Sequence, residues 1–299
     1  MGTAVDRPRP RLALCASTGV DVVLAQANGS TRIPLIVAHR GGQEKSPAGS
    51  LDSFLSASTD GYPVEMDLRT LDDGHIAISH DSTTGETTED SSDVSVSSLT
   101  VDEWTSMCLH YDSEQCFRAV TFGQVLDALP NDALLVVENK QDEVSLKRLE
   151  RILDARSLRS STLIESLDFN KITQASADGF HTMYVMHKNQ DVDVDAIADA
   201  GVDVLAVSSY YPLSLLRKCR ARGLRLWVWT VDRTWMAVRW SRAGVDGIIT
   251  DYPRTMTRLL SAQAAADDSA DVPRLRMSAA ELQSRIRERS PRDDAREDL

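Results

Sequence analysis

Two short stretches of this sequence carry acids where a buried strand should be apolar. In "VEMDL", Glu65 and Asp67 are two residues apart, so the period of a strand puts both on one face with Met66 opposite. In "LLVVENK", Glu138 shares its face with Lys140 by the same period. An unpaired carboxylate is costly to bury, so such positions need either cations beside them or a task. Ion pairs with Lys and Arg at the strand ends would meet the first condition. If both strands instead open on a common mouth, three carboxylates and an ammonium converge there. Three oxygen ligands with open positions suit one hard divalent cation, Mg2+ or Ca2+.

Two histidines add to the cluster. His39 ends the apolar run in "IVAHRGG" and His80 ends the one in "IAISHD", in a chain with only 6 histidines. A single strand-end histidine is most often a hydrogen-bonded structural residue. Two of them beside carboxylates resemble a general acid and base flanking a bound substrate. Arg40 brings a bidentate fork and Lys140 a point charge, both suited to a tetrahedral anion. That set points to phosphoryl chemistry rather than sugar or peptide cleavage. The glycines after Arg40 would let the backbone pass close to a ligand. A serine nucleophile elbow, a P-loop and a zinc HExxH motif are all missing from the sequence.

The elements that must position these residues alternate from residue 33 onward. Strands read at "IPLIVAH", "PVEMDLR", "ALLVVENK", "TLIESLD", "TMYVM", "VDVLAVSS", "RLWVWTV" and "GVDGIITD", with helical segments between them. Eight strands joined by crossover helices predict an α/β fold, a closed (β/α)8 TIM barrel. An open doubly wound sheet is the alternative, and "AHRGG" lacks the glycine spacing of its dinucleotide loop. After the second strand, Asp73-Gly74 reads as a turn, predicting a hairpin extension that folds His80 back to the rim. His75 on that hairpin reads as a surface residue. The Ser-, Thr- and Asp-rich stretch from Ser82 to Met107 reads as a long loop over the mouth.

Composition bounds the rest. The 299 residues, 42% of them apolar, suffice for a large core. With 33 basic and 45 acidic residues the net charge is -12, which disfavours a nucleic-acid or anionic-membrane surface. No apolar run is long enough to span a membrane. Residues 1–32 read as a leader, either a secretory signal interrupted by Asp21 or a disordered extension, so the compartment is open between cytoplasmic and secreted. The barrel is expected over 33–262, with a polar, weakly helical tail over 263–299. Cys108 and Cys116 are spaced to close a short loop, and Cys219 reads as an ordinary helix residue. The sequence leaves the oligomeric state open.

Taken together, His39-Arg40, Glu65-x-Asp67, His80, "VVENK", "ESLD", "VWTVD" and "GVDGIITDYP" resemble the glycerophosphodiester phosphodiesterase family, in family order over roughly residues 33 to 260. The resemblance implies a (β/α)8 barrel with Glu65, Asp67 and Glu138 as metal ligands and His39 and His80 as the acid/base pair. It implies that Arg40 and Lys140 hold phosphate oxygens. Trp229 would contact the organic part of the substrate or simply pack the barrel, and Phe169 is a weaker candidate for the same contact. Two departures stand out. The family's Pro-Glu-Asn-Thr is "PAGS" here, so Ala48 replaces the acid that helps anchor the arginine, and Glu44 is a candidate substitute. The family's Arg-Thr-Thr is "ETT", with Glu86 in the arginine position. The implied reaction is metal-dependent hydrolysis of a small-molecule glycerophosphodiester to glycerol 3-phosphate and an alcohol. A lysophospholipase D- or phospholipase D-like enzyme and a non-catalytic phosphate-binding barrel are the alternatives.

Overall fold

A computed structural model of the chain describes residues 19–20, 33–89, 92–140, 144–188 and 190–269. Its strands are β1 (Leu35–Ala38), β2 (Val64–Thr70), β3 (Ile76–Ile78), β4 (Leu135–Asn139), β5 (Thr162–Ser166), β6 (His181–Met186), β7 (Val204–Ser208), β8 (Arg225–Trp229) and β9 (Gly247–Thr250). All but β3 pair in parallel, in the order β1-β9-β8-β7-β6-β5-β4-β2, and β1 also pairs with β2. The sheet is therefore closed, and the open-sheet alternative is excluded. β3 lies antiparallel on β2, with Leu68 opposite Ile78, as the predicted hairpin requires.

Helices follow the strands: α1 (Leu51–Thr59), α2 (Val101–Ser106), α3 (Phe122–Ala128), α4 (Leu146–Asp154), α5 (Phe169–Ala177), α6 (Val194–Asp199), α7 (Ser214–Ala221), α8 (Thr234–Ala243) and α9 (Pro253–Ser269). The strand period separates two kinds of core. Outward residues such as Met66, Leu68, Val137 and Ile164 pack under the helices in one cluster with Phe54, Phe122 and Leu149. Inward residues Val37, Val136, Leu163, Met183, Val204, Ala206, Trp227 and Ile249 fill the barrel itself. Val20 is buried in that inner cluster, so part of the stretch read as a leader contributes to the core; residues 1–18 and 21–32 lie outside the described residues. α9 runs on to Ser269, past the expected domain end at 262, and the tail beyond 269 lies outside the described residues. No helix among the described residues is long and apolar enough to cross a membrane.

The stretch from Ser82 to Met107 is more structured than a loop. Thr100 caps α2 with a reciprocal capping box to Glu103. Trp104, Val96 and Leu99 pack with Leu71, Ala77, Leu109 and Phe117 into a separate small core. Cys108 and Cys116 are disulfide-bonded and pin the end of this subdomain.

Candidate active site

The C-terminal ends of the strands gather the chemistry. His39, Arg40, Glu65, Asp67, His80, Glu138, Lys140 and Trp229, the eight residues singled out from the sequence, all line one cavity of about 120 Å3. β1 ends at Ala38 and breaks into a short turn over His39–Gly41, in which Arg40 takes the left-handed conformation (φ 49°). A non-glycine residue there carries strain. It aims the Arg40 amide at Glu65, whose Oε2 accepts it at 2.8 Å. The two glycines meet a need of the fold itself. A Cβ on Gly41 would lie 2.5 Å from Ser53 Oγ, and one on Gly42 would lie 3.0 Å from Pro253 Cδ.

His39 Nδ1 lies 2.6 Å from Asp251 Oδ1, and its Nε2 faces Glu65 Oε2 at 3.9 Å. Burial alone would lower the pKa of His39; the Asp251 hydrogen bond and the Glu65 charge outweigh it and raise it above the usual histidine value. His80 stands across the mouth, its Nδ1 2.8 Å from Asp81 Oδ1. Its backbone is tied down by Arg69, which donates to the His80 carbonyl at 2.7 Å. Burial, reinforced by the Arg40 and Lys140 charges, pushes the pKa of His80 down. The two histidines are thus displaced in opposite directions.

Between them lie the carboxylates. The strand register sets Asp67 beside Glu138 and Glu138 beside Glu165, one row across β2, β4 and β5, with Glu65 two residues deeper. Lys140 Nζ sits between Asp67 Oδ1 (3.1 Å) and Glu138 Oε2 (2.6 Å). Arg40 Nε is 3.3 Å from Asp67 Oδ2, yet at an angle that leaves Nε without a hydrogen bond. Asp67 is nevertheless held below the usual carboxylate range: burial opposes this, but the Lys140 and Arg40 charges win. Burial and the Asp67 charge push Glu65 up to about 7. Burial also raises Glu138, and it drives Glu165 well above the carboxylate range with help from Glu65.

Four buried carboxylates therefore face two fixed cations, Arg40 and Lys140, and Glu165 Oε2 has no partner. This hard-oxygen donor set fits a divalent cation, which would take the place of the protons that burial makes Glu65 and Glu165 retain. Among the described residues no three acidic, histidine or cysteine groups are gathered as a finished metal cage. The Lys140 ammonium fills the space between two of the acids instead.

Other expectations meet a mixed outcome. Glu44 does not replace the anchoring acid; its oxygens accept the amides of Arg254 (3.1 Å) and Thr255 (2.9 Å) and so cap the start of α9. "PAGS" keeps the local fold: Gly49 donates to the Arg40 carbonyl at 2.7 Å, and Ser50 caps α1 through the Ser53 amide. Ala48 and Glu86 both line a second cavity of about 170 Å3, which meets the first at Arg40, Asp67 and His80. Phe169 packs on Tyr184, with ring centres 5.2 Å apart, and lies outside the cavity lining. Trp229 lines the cavity edge-on to His187, at 5.4 Å. His75 is exposed on the hairpin, as expected. Sequence reasoning missed Glu165 and Asp251. Glu165 carried the same signal as Glu138, an acid in an apolar strand; Asp251 closes "GIITD" but pairs with His39 only through barrel closure.

A closed parallel barrel with histidines, an arginine-lysine pair and carboxylates at its C-terminal mouth defines a phosphodiesterase-type site. The family model for the glycerophosphoryl diester phosphodiesterase family matches residues 39–255, and the chain belongs to that family. The glycerophosphodiester phosphodiesterase of Caldanaerobacter subterraneus subsp. tengcongensis is 26% identical over 239 residues, covering 76% of this chain and 97% of that protein. The crystal structure of a glycerophosphodiester phosphodiesterase from Thermotoga maritima superposes with a TM-score of 0.64 at 21% identity, covering 77% of this chain and 100% of its own. An Oleispira antarctica phosphodiesterase, solved with its product sn-glycerol-3-phosphate, gives 0.69 at 18% identity, covering 77% and 97%.

Proposed function

We propose that this protein hydrolyses glycerophosphodiesters to glycerol 3-phosphate and an alcohol, with a divalent cation and a histidine acid/base pair. The observation that carries the reading is the meeting of His39 and His80, Arg40, Lys140 and the carboxylate row around one cavity. Glu65, Asp67 and Glu138 would hold the cation, Mg2+ or Ca2+, which supplies charge neutralisation at the non-bridging phosphate oxygens. Arg40 and Lys140 hold those oxygens and stabilise the charge that builds on them in the transition state. His80, its pKa lowered, starts neutral and takes the proton from the attacking hydroxyl. That hydroxyl belongs to water or to the neighbouring carbon of the glycerol, the second route giving a cyclic phosphate that water then opens. His39, its pKa raised and its ring fixed by Asp251, gives its proton to the departing alkoxide.

Trp229, Leu167, Val185 and Ile249 form an apolar wall on the same cavity. That wall favours a second reading, a lysophospholipase D-like specificity for a diester with a longer apolar arm. Turnover of glycerophosphocholine, glycerophosphoethanolamine and a lysophosphatidylcholine, each with Mg2+, Ca2+ or chelator, tests both. The first reading expects metal-dependent release of glycerol 3-phosphate from the small diesters. Preference for the lysolipid would favour the second, and binding without turnover of any diester would leave a phosphate-binding barrel.

A further inference from the structure

The geometry points to Glu165 as a fourth carboxylate ligand of the divalent cation, beside Glu65, Asp67 and Glu138. The inference rests on the cation site proposed above and extends it by a residue on a third strand.

Glu165 sits on β5 level with Glu138 on β4, which is itself level with Asp67 on β2. Neighbouring parallel strands run about 4.8 Å apart, so adjacent carboxylates in such a row can reach one ion. The next positions at this level are Met183 on β6 and Val204 on β7, both ordinary apolar barrel filling. Glu165 is thus where the interior changes from apolar to charged. Its residue exposure is 6%, and it lines the cavity. Its Oε2 is buried with no hydrogen-bond partner. The nearby cations are already engaged, Lys140 by Asp67 and Glu138 and Arg40 by Asp67. A buried acid without a partner, set next to three other acids, is the least favourable choice for a packing residue. It becomes favourable when a divalent ion enters and needs oxygen donors. The side chain lines the same cavity as Glu65, Asp67 and Glu138.

The test is calorimetric titration of Ca2+ and Mg2+ into chelator-stripped wild-type protein, Glu165→Gln and Glu165→Asp, with thermal unfolding of each in chelator and in cation. Glutamine keeps the shape and removes the charge. The expected result is a dissociation constant at least tenfold weaker for Glu165→Gln, with Glu165→Asp between the two. The unfolding midpoint of Glu165→Gln in chelator should equal or exceed that of wild type, while its rise on adding cation shrinks. A dissociation constant within twofold of wild type for Glu165→Gln overturns the assignment, as does one for Glu165→Asp if the glutamine variant fails to fold. Absence of any cation uptake by wild type would overturn this inference together with the cation site on which it rests.

Discussion

Replacing Glu65 with glutamine should make the chelated protein more stable at neutral pH. Burial and the charge of Asp67 raise the Glu65 pKa from 4.5 to about 7. A folded-state pKa above the unfolded value means the native protein binds that proton more tightly. The contribution of Glu65 is therefore fully present below the unfolded pKa of 4.5 and is lost as pH rises through about 7. At 1.36 kcal/mol per pKa unit, ionising Glu65 in place costs on the order of 3 kcal/mol. Glutamine cannot ionise, and its amide oxygen can still accept the Arg40 amide. In chelator the two proteins should unfold together at about pH 4.5. By pH 7.5 Glu65→Gln should lead by roughly 3 kcal/mol, or about 6–12 °C for a domain of this size. Scanning calorimetry of both proteins across that range reads the difference directly, and the other titrating groups, present in both, largely cancel. Added Ca2+ or Mg2+ should narrow or reverse the difference by stabilising wild type more than Glu65→Gln. Parallel stability curves in chelator would refute the reasoning, because they would mean Glu65 is not strained by its surroundings.

Other perturbations probe the remaining parts. His39→Ala and His80→Ala should each lower kcat by about 10²–10⁴-fold, the usual worth of a general acid or base, with cation affinity nearly unchanged; near-wild-type rates would remove them from the chemistry. Asp251→Asn puts a neutral amide in place of the charged partner that raises the His39 pKa, so the limb of the kcat/KM pH profile set by His39 should move to lower pH. Reducing the Cys108–Cys116 disulfide, which closes a loop of sequence separation 8, should lower stability by about 2–3 kcal/mol in a denaturant titration. Because that loop carries Leu109, His110 and Tyr111 into the second cavity, KM should rise more than kcat falls.

Much of the barrel was legible because its strands are short, β-branched and separated by capped helices, and because strand period alone sends Glu65 and Asp67 to one side and Met66 to the other. The acids and histidines announced themselves by standing in apolar surroundings. What stayed hidden depends on chain closure. Asp251 meets His39 across 212 residues of sequence, and no local pattern encodes that meeting. Glu44 was close to Arg40 in sequence but is spent on the amides of α9. The Ser82–Met107 stretch concealed its order because its apolar residues, Val96, Leu99 and Trp104 among them, are scattered among Ser, Thr and Asp and find their partners Leu71, Ala77, Leu109 and Phe117 outside the stretch. Glu165 was visible and passed over, since a lone acid reads as a strand-end ion pair until its neighbours across the sheet are known.

The central claim is that this mouth breaks the bond between phosphorus and the alcohol oxygen of a glycerophosphodiester. Hydrolysis of glycerophosphocholine in ¹⁸O-labelled water, followed by ³¹P NMR and mass spectrometry of the products, tests it most directly. The account predicts glycerol 3-phosphate carrying ¹⁸O on its phosphate, with unlabelled choline, in the presence of Mg2+ or Ca2+. Label in choline, or phosphocholine as the phosphorylated product, would contradict it.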